Sequence, residues 1–256
     1  MTLHLGKTPA TPSPLDFKVH EILDVELVLA KPYKPHDTGF PILMYGNGPD
    51  ATAPTGAEDG AGDCLFAMVS NCVQLWRHAA GLPLAALNGT TAIHAYSEVT
   101  GYKPGDASTD NGADMGVVAS WWRKTGMRDL NGKRHKIGAF ATFDPTNLRE
   151  LTAVVRTFGA AGLGINFPDY AMDEFNRHES WAYRATGRNE GGHAITIPKN
   201  RKVYTWAREM GIGDTFIQHQ ADEGFAFISH EFFDGSKETP EGLDDAALTR
   251  LLGALT

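Results

Sequence analysis

Cysteine is scarce in this chain, whose 256 residues carry only Cys64 and Cys72. Eight residues apart on one helix, the pair would stand about 12 Å from each other, too far for a disulfide. Both are expected as free thiols, and a zinc site built from cysteines is excluded. Long apolar runs are missing too. No stretch approaches the roughly 18–20 residues that cross a bilayer. Lys7, Asp16, Lys18, His20 and Glu21 break up the first thirty residues, so no signal peptide is expected and the setting is a reducing cytoplasm. Positive charge is in deficit: 23 Lys and Arg against 31 Asp and Glu leave a formal net charge of −8. Phosphate binding needs clustered cations, so neither a nucleic-acid nor a membrane partner is expected. The one basic cluster, around Arg123, Lys124, Arg128 and Lys133 to Lys136, reads as a solvated face.

What is present is ordinary for a folded domain, with 42% hydrophobic and 21% charged residues. The length suits one core, so the expectation is a single domain over 1–256. Residues 1–50 read as a proline-broken extended arm with a β-like run at Glu26–Ala30. Residues 235–256 read as a tail closed by an amphipathic helix, with Leu243, Ala247, Leu248, Leu251 and Leu252 on one face.

Chemistry concentrates at Gly60-Ala61-Gly62-Asp63-Cys64-Leu65-Phe66-Ala67-Met68-Val69. A glycine-rich turn ends in Asp63, which has the side chain of an N-cap, and Cys64 opens a helix. Apolar residues at Leu65, Met68, Val69, Cys72, Val73 and Trp76 predict one buried helical face. A thiol in a first helical turn sits at the positive end of the dipole, so its pKa is expected to fall. Later, Gly191-Gly192-His193 delivers a histidine onto the alternating run Ala194–Ile197, and Lys202–Ala207 reads as the next strand of a hairpin.

Between these stretches, a long loop runs from Tyr45 to Gly62, and helices are expected at Thr91–Val99 and Asp114–Lys124. The alternating oxygen side chains of Asp106–Asp114 resemble a calcium loop, but the glycine is misplaced and no Glu closes it, so a turn and helix cap is expected instead. Gly138–Phe143 alternates like a strand. Asp144-Pro145-Thr146 is expected to cap a helix ending at Phe158, with Leu163–Phe167 as the following strand. Asp169–Asn189, which includes Trp181, reads as irregular and is expected to border a cleft. A helical piece at Asp214–Gln220 and a strand at Phe225–Ser229 follow. Helices first and strands later predict an α+β fold.

These residues resemble the papain-like cysteine peptidases, and more closely a divergent group of small papain-fold proteins from bacterial and phage genomes. Gly-Asp-Cys64, Gly-Gly-His193 and Thr205-Trp206-Ala207 stand in the family's order, with the histidine about 130 residues after the cysteine. Leu5–Ala10, Thr100-Gly101-Tyr102, Trp122–Gly126 and Thr239–Asp244 extend the likeness to the divergent group over nearly the whole chain. The resemblance implies a helical half, centred on the Cys-bearing helix, packed on an antiparallel sheet half. It implies a Cys64 nucleophile paired with His193, acting on a peptide or protein substrate without cofactor or metal. Papain-like enzymes place an amide side chain six residues before the nucleophile as an oxyanion donor. Here that residue is Glu58, which cannot donate when ionised, and Asn47 substitutes only if its loop folds back. The histidine's orienting asparagine, two residues before the strand tryptophan, is replaced by Tyr204, with the Thr205 hydroxyl as the neighbouring candidate. Trp206 and Trp181 are expected around the cleft. Three functions follow: a cysteine hydrolase of peptide or isopeptide bonds, impaired by these replacements; a non-catalytic binding or structural protein with assembly neighbours, such as a phage virion component; and a peptidoglycan amidase or transferase.

Overall fold

A computed structural model of the chain describes residues 3–9, 11, 17–199, 201–229 and 231. The helix expected after Asp234 lies outside them. In chain order the elements begin with β1 (Lys7–Thr8), α1 (Val19–Ile22), α2 (Val25–Ala30), α3 (Cys64–Ala79) and α4 (Gly89–Thr100). Then come β2 (Ala113–Asp114), α5 (Met115–Lys124), β3 (Met127–Arg128), β4 (Arg134–His135), β5 (Ile137–Phe143), α6 (Leu148–Phe158) and β6 (Ala161–Pro168). The last group is α7 (Asp169–Asn176), β7 (Asn189–Ile197), β8 (Lys202–Thr205), β9 (Arg208–Gly211), α8 (Asp214–Gln220) and β10 (Ala221–Ser229). The class is α+β. No helix among the described residues is long and apolar enough to cross a membrane.

The helices α4 and α5 end and begin where punctuation demands. Gly101 closes α4 with φ 79°, a left-handed cap that glycine adopts without a Cβ clash. Asp114 opens α5 by accepting from Val117 N at 3.0 Å. Two local expectations are corrected. Glu26–Ala30 is helical rather than extended, because Asp24 accepts from Leu27 N at 3.0 Å and caps α2. At α6 the cap is Asn147, whose side chain accepts from Glu150 N, while the Asp144 carboxylate is spent on Thr146 N and its hydroxyl at 2.9 and 2.7 Å. Side-chain capping, a contact within three residues, outweighs the β-branched content and the proline in these two cases.

One large sheet runs in the order β2-β1-β7-β6-β10-β5, with β8 pairing β7 and β9 pairing β8. Two apolar cores flank it. One is built on α3, α4 and α5 with Trp76, Tyr96 and Trp122 at its centre. The other lies on the far face of β5, β6, β7 and β10, under α6 and α8. Strand β7 serves both, because Ala194 belongs to the first core while Ile195 and Ile197 belong to the second. Helix α3 is packed between the sheet, at β7 and β8, and the helices α4 and α5, so it is buried nearly all round rather than along one face. Its Gln74 is bonded on both sides inside the core: it donates to Ala85 O at 2.9 Å and accepts from Ala85 N at 2.8 Å. Cys72, also free and buried, lies 3.9 Å from the Thr196 hydroxyl.

Candidate active site

Cys64 is the first residue of α3, and its sulfur is packed directly on β7: Ala194 N, the amide next to His193, donates to Sγ at 3.4 Å. In the register of the sheet, His193 stands opposite Ile165 on β6. Its ring is clamped by aromatic residues. Trp206 stacks on it with centroids 4.1 Å apart and planes at 13°, and Phe167 meets it edge-on at 5.9 Å. The far nitrogen, Nε2, is 2.8 Å from the Thr205 hydroxyl, while Nδ1 is buried without a hydrogen-bond partner. That division of labour is chemically useful. A hydroxyl on Nε2 fixes the ring's orientation and leaves Nδ1 for proton transfer.

The electrostatics run opposite to the expected activation. Burial pushes the Cys64 thiol up to about 12; the neighbouring Asp63 adds to the rise, against backbone N–H groups of Ala194, Gly6 and Leu65 that favour the thiolate. Burial likewise takes His193 down to about 3. The expected fall in the thiol pKa is therefore corrected. Desolvation at a fully covered site exceeds the helix-terminal field, which is worth only about 0.3–1 kcal/mol when exposed. In this structure the pair is a neutral thiol and a neutral imidazole.

Asp63 does not act as a side-chain cap. Its carboxylate is fully buried with both oxygens lacking a hydrogen-bond partner. Burial, with Asp110 and Asp50 nearby, holds its pKa well above the usual carboxylate range. Glu58 is exposed, and its carboxylate accepts from Gly56 N at 2.5 Å in its own turn rather than reaching toward Cys64. Asn47 is buried beside the cysteine loop, yet its amide donates to His4 O at 2.9 Å and Ala61 O at 3.1 Å. Tyr204 points away from the histidine into the α3 core, edge-on to Phe40 at 5.5 Å. Trp181 is wholly buried behind Trp206, stacked on Phe216, and so is core rather than a cleft wall. The expected irregular stretch 169–189 contains α7, and its Glu174 and Arg184 pair at 2.7 Å.

Two contributors were not singled out in the sequence. Asp110, in the loop with the calcium-like pattern, accepts from Gly62 N at 3.0 and 3.1 Å and from the Tyr96 hydroxyl at 2.6 Å. It thereby ties the turn before Cys64 to α4. The alternating Asp and Asn residues were visible, but nothing local says which one bonds Gly62. The second is the arm around Gly6, whose N–H lies at the sulfur.

No protein-family model and no curated protein matches the chain. Solved structures do. Xylellain, a cysteine protease from Xylella fastidiosa, superposes with a TM-score of 0.65 at 12% identity, over 89% of this chain and 96% of that one. ProCathepsin B S9 from Trypanosoma congolense gives 0.54 at 12% identity, over 88% and 86%. Digestive procathepsin L2 from Tenebrio molitor larval midgut gives 0.50 at 12% identity, over 89% and 75%. Such low identities speak for architecture alone, and with a Cys-bearing helix packed on a His-bearing strand they identify this chain as having a divergent papain-like cysteine protease fold.

Proposed function

We propose that the protein is a cysteine hydrolase of peptide or isopeptide bonds, with Cys64 as nucleophile, His193 as acid and base, and Thr205 as the residue that positions the histidine. The observation carrying this is the packing of the α3-opening thiol on the backbone of β7 beside His193, whose Nε2 is held by Thr205. With water admitted to the site, proton transfer from Cys64 to His193 forms a thiolate and an imidazolium. The sulfur adds to the carbonyl carbon, the imidazolium protonates the departing amine, and the C–N bond breaks. Water, deprotonated by the imidazole, then hydrolyses the thioester and regenerates the thiol. The Cys64 N–H, at a helix start with no intrahelical partner, is the first oxyanion donor. Neither Glu58 nor Asn47 supplies the second as they stand, and loss of one such donor costs about 10²–10³ in rate. Activity is accordingly expected to be slow.

The same two side chains favour a second reading, a papain-fold protein that binds without turnover, such as a component of a phage particle. Turnover of a fluorogenic peptide library separates the two. Hydrolysis that disappears in Cys64→Ser and in His193→Ala supports the hydrolase; none with the intact chain, under conditions where an electrophilic probe labels Cys64, overturns it.

A further inference from the structure

The stretch that ends α5 and forms β3 and β4 reverses the sign of charge that prevails in the chain. Residues 123–136 carry Arg123, Lys124, Arg128, Lys133, Arg134 and Lys136 against one carboxylate, Asp129, in a protein of net charge −8. Asp129 is buried and already engaged. Its carboxylate accepts from Asn131 N at 3.0 Å and Lys133 N at 2.9 Å, and lies 3.3 Å from His135 Nε2. The β3–β4 pair alternates as strands do, with Met127 and His135 buried and Arg128 and Arg134 exposed on the other face.

The register sets Arg128 directly opposite Arg134. Like charges at facing positions of two antiparallel strands destabilise the pair. No close carboxylate relieves them among the described residues: Arg134 reaches Glu98 only at 3.8 Å, and Arg128 makes no ion pair. Arg134 spends one N–H on Gly126 O at 2.9 Å. The Arg128 guanidinium lies over the turn at Gly132, where an added Cβ would come 3.6 Å from Nη2. Both arginines line a surface cavity of about 350 Å³, walled on its other side by Thr90, His94 and Glu98 of α4. The inner face of α4, with Ile93 and Tyr96, is packed into the core. None of the residues lining the cavity takes part in the site at Cys64.

We propose that this cavity is a docking site for an acidic peptide segment of a partner protein, two of whose carboxylates are gripped by Arg128 and Arg134. A guanidinium presents paired N–H groups that match a carboxylate, and an anion set between two facing arginines turns their repulsion into attraction. The first turn of α4 adds a field of the same sign. A peptide fits better than a nucleic acid. No Phe, Tyr or Trp lines the cavity to stack a base, whereas Leu130, 59% exposed, and Ala95 offer apolar contact to a side chain. The net charge of −8 also opposes a long polyphosphate. The docking site goes beyond the hydrolase reading and does not rest on it.

The test titrates the full chain into fluorescein-labelled Ser-Glu-Asp-Glu-Glu-Asp-Glu-Ser-amide at low ionic strength and reads anisotropy. Saturable binding is expected, and none to the same peptide with Gln and Asn in place of Glu and Asp. Arg128→Gln should raise Kd at least tenfold. Arg149→Gln, which alters an exposed arginine on α6, should leave it within twofold. Glu98→Gln removes the carboxylate that competes for Arg134 and should lower Kd. Because Arg128 repels Arg134, Arg128→Gln without peptide should keep or raise Tm, which loss of an arginine serving the fold would not do. Absence of saturable binding, an equal Kd in Arg128→Gln and Arg149→Gln, or a lowered Tm in Arg128→Gln would overturn the proposal. So would displacement of the peptide by inorganic phosphate at the concentration of unlabelled peptide, or tighter binding of a labelled oligothymidylate that Arg128→Gln abolishes. Turnover does not enter the readout, so a failed titration leaves the hydrolase reading standing and an inactive chain leaves the docking site standing.

Discussion

The Thr205 hydroxyl lies 2.8 Å from His193 Nε2 and is the polar contact to that ring from β8. Thr205→Val keeps the shape of the side chain and removes the hydroxyl. Its expected effect is a drop in kcat of about 100-fold with little change in KM, the lower end of what a positioned acid–base group supplies. Thr205→Ser should restore most of it. An unchanged kcat in Thr205→Val would remove the positioning role.

Two buried groups at the site set opposite limbs of a pH–stability profile. The folded chain favours protonated Cys64, pushed up to about 12 from 9.0, and neutral His193, taken down to about 3 from 6.5. The thiol contribution is complete below the ordinary thiol pKa and is lost as pH climbs toward the folded value; Cys72, also about 12, adds to it. The histidine contribution is complete above 6.5 and is lost as pH falls toward 3, and His36, lowered to about 4, acts in the same direction. Tm is therefore expected to be highest between these limbs, and Cys64→Ala should flatten the alkaline one. An alkaline limb of unchanged slope in that variant would contradict the burial of the thiol.

The Asp110 carboxylate joins Gly62 N to the Tyr96 hydroxyl. Asp110→Ala leaves both donors without this acceptor, at a cost of about 1–3 kcal/mol. Tyr96→Phe removes one partner and also the acceptor of Gly112 N, which lies 2.8 Å from the hydroxyl, and should cost about 1–3 kcal/mol. Urea denaturation of the two single variants and the double variant reads their coupling: a double-variant loss equal to the sum would mean that the two residues act independently.

What was legible in the sequence was local. The opening of α3 at Cys64, the β7–β8 hairpin and helix α8 follow from glycine punctuation and apolar spacing within a few residues. The rest depends on chain segments that meet only in the fold. Asp110 reaches Gly62 from 48 positions away, and Lys7 reaches Asp222 from 215. The thiol's raised pKa follows from the same cause, because burial by the arm and by β7 is invisible in the residues around Cys64. Glu58 failed to face the thiol for a different reason: in a long loop, counting back six residues fixes a sequence position but not a direction, and Gly56 N offered its carboxylate a nearer partner.

The turn that carries Trp206 is strained where a glycine would be at ease. Thr205 pairs with Arg208, so Trp206 and Ala207 form a two-residue hairpin turn, with φ of 42° and 59°. Such turns need left-handed backbone at both central positions, and asparagine and glycine are their usual residues. Side chains there cost roughly 1–2 kcal/mol each. Trp206 is retained because its ring is packed against His193, Phe167 and Phe175. Ala207, exposed, makes no such contact. Ala207→Gly is thus expected to raise stability by about 1 kcal/mol, since relief of the strain exceeds the added entropy of the unfolded chain. Trp206→Ala should lower it by about 3–5 kcal/mol, the usual cost of deleting a large buried aromatic, and let the His193 pKa rise from about 3 toward 6.5. Urea midpoints and the imidazole proton shifts measure both. A destabilised Ala207→Gly would mean that the turn's backbone is unstrained, and a His193 pKa unmoved by Trp206→Ala would mean that β7 and α3 alone keep the ring dry.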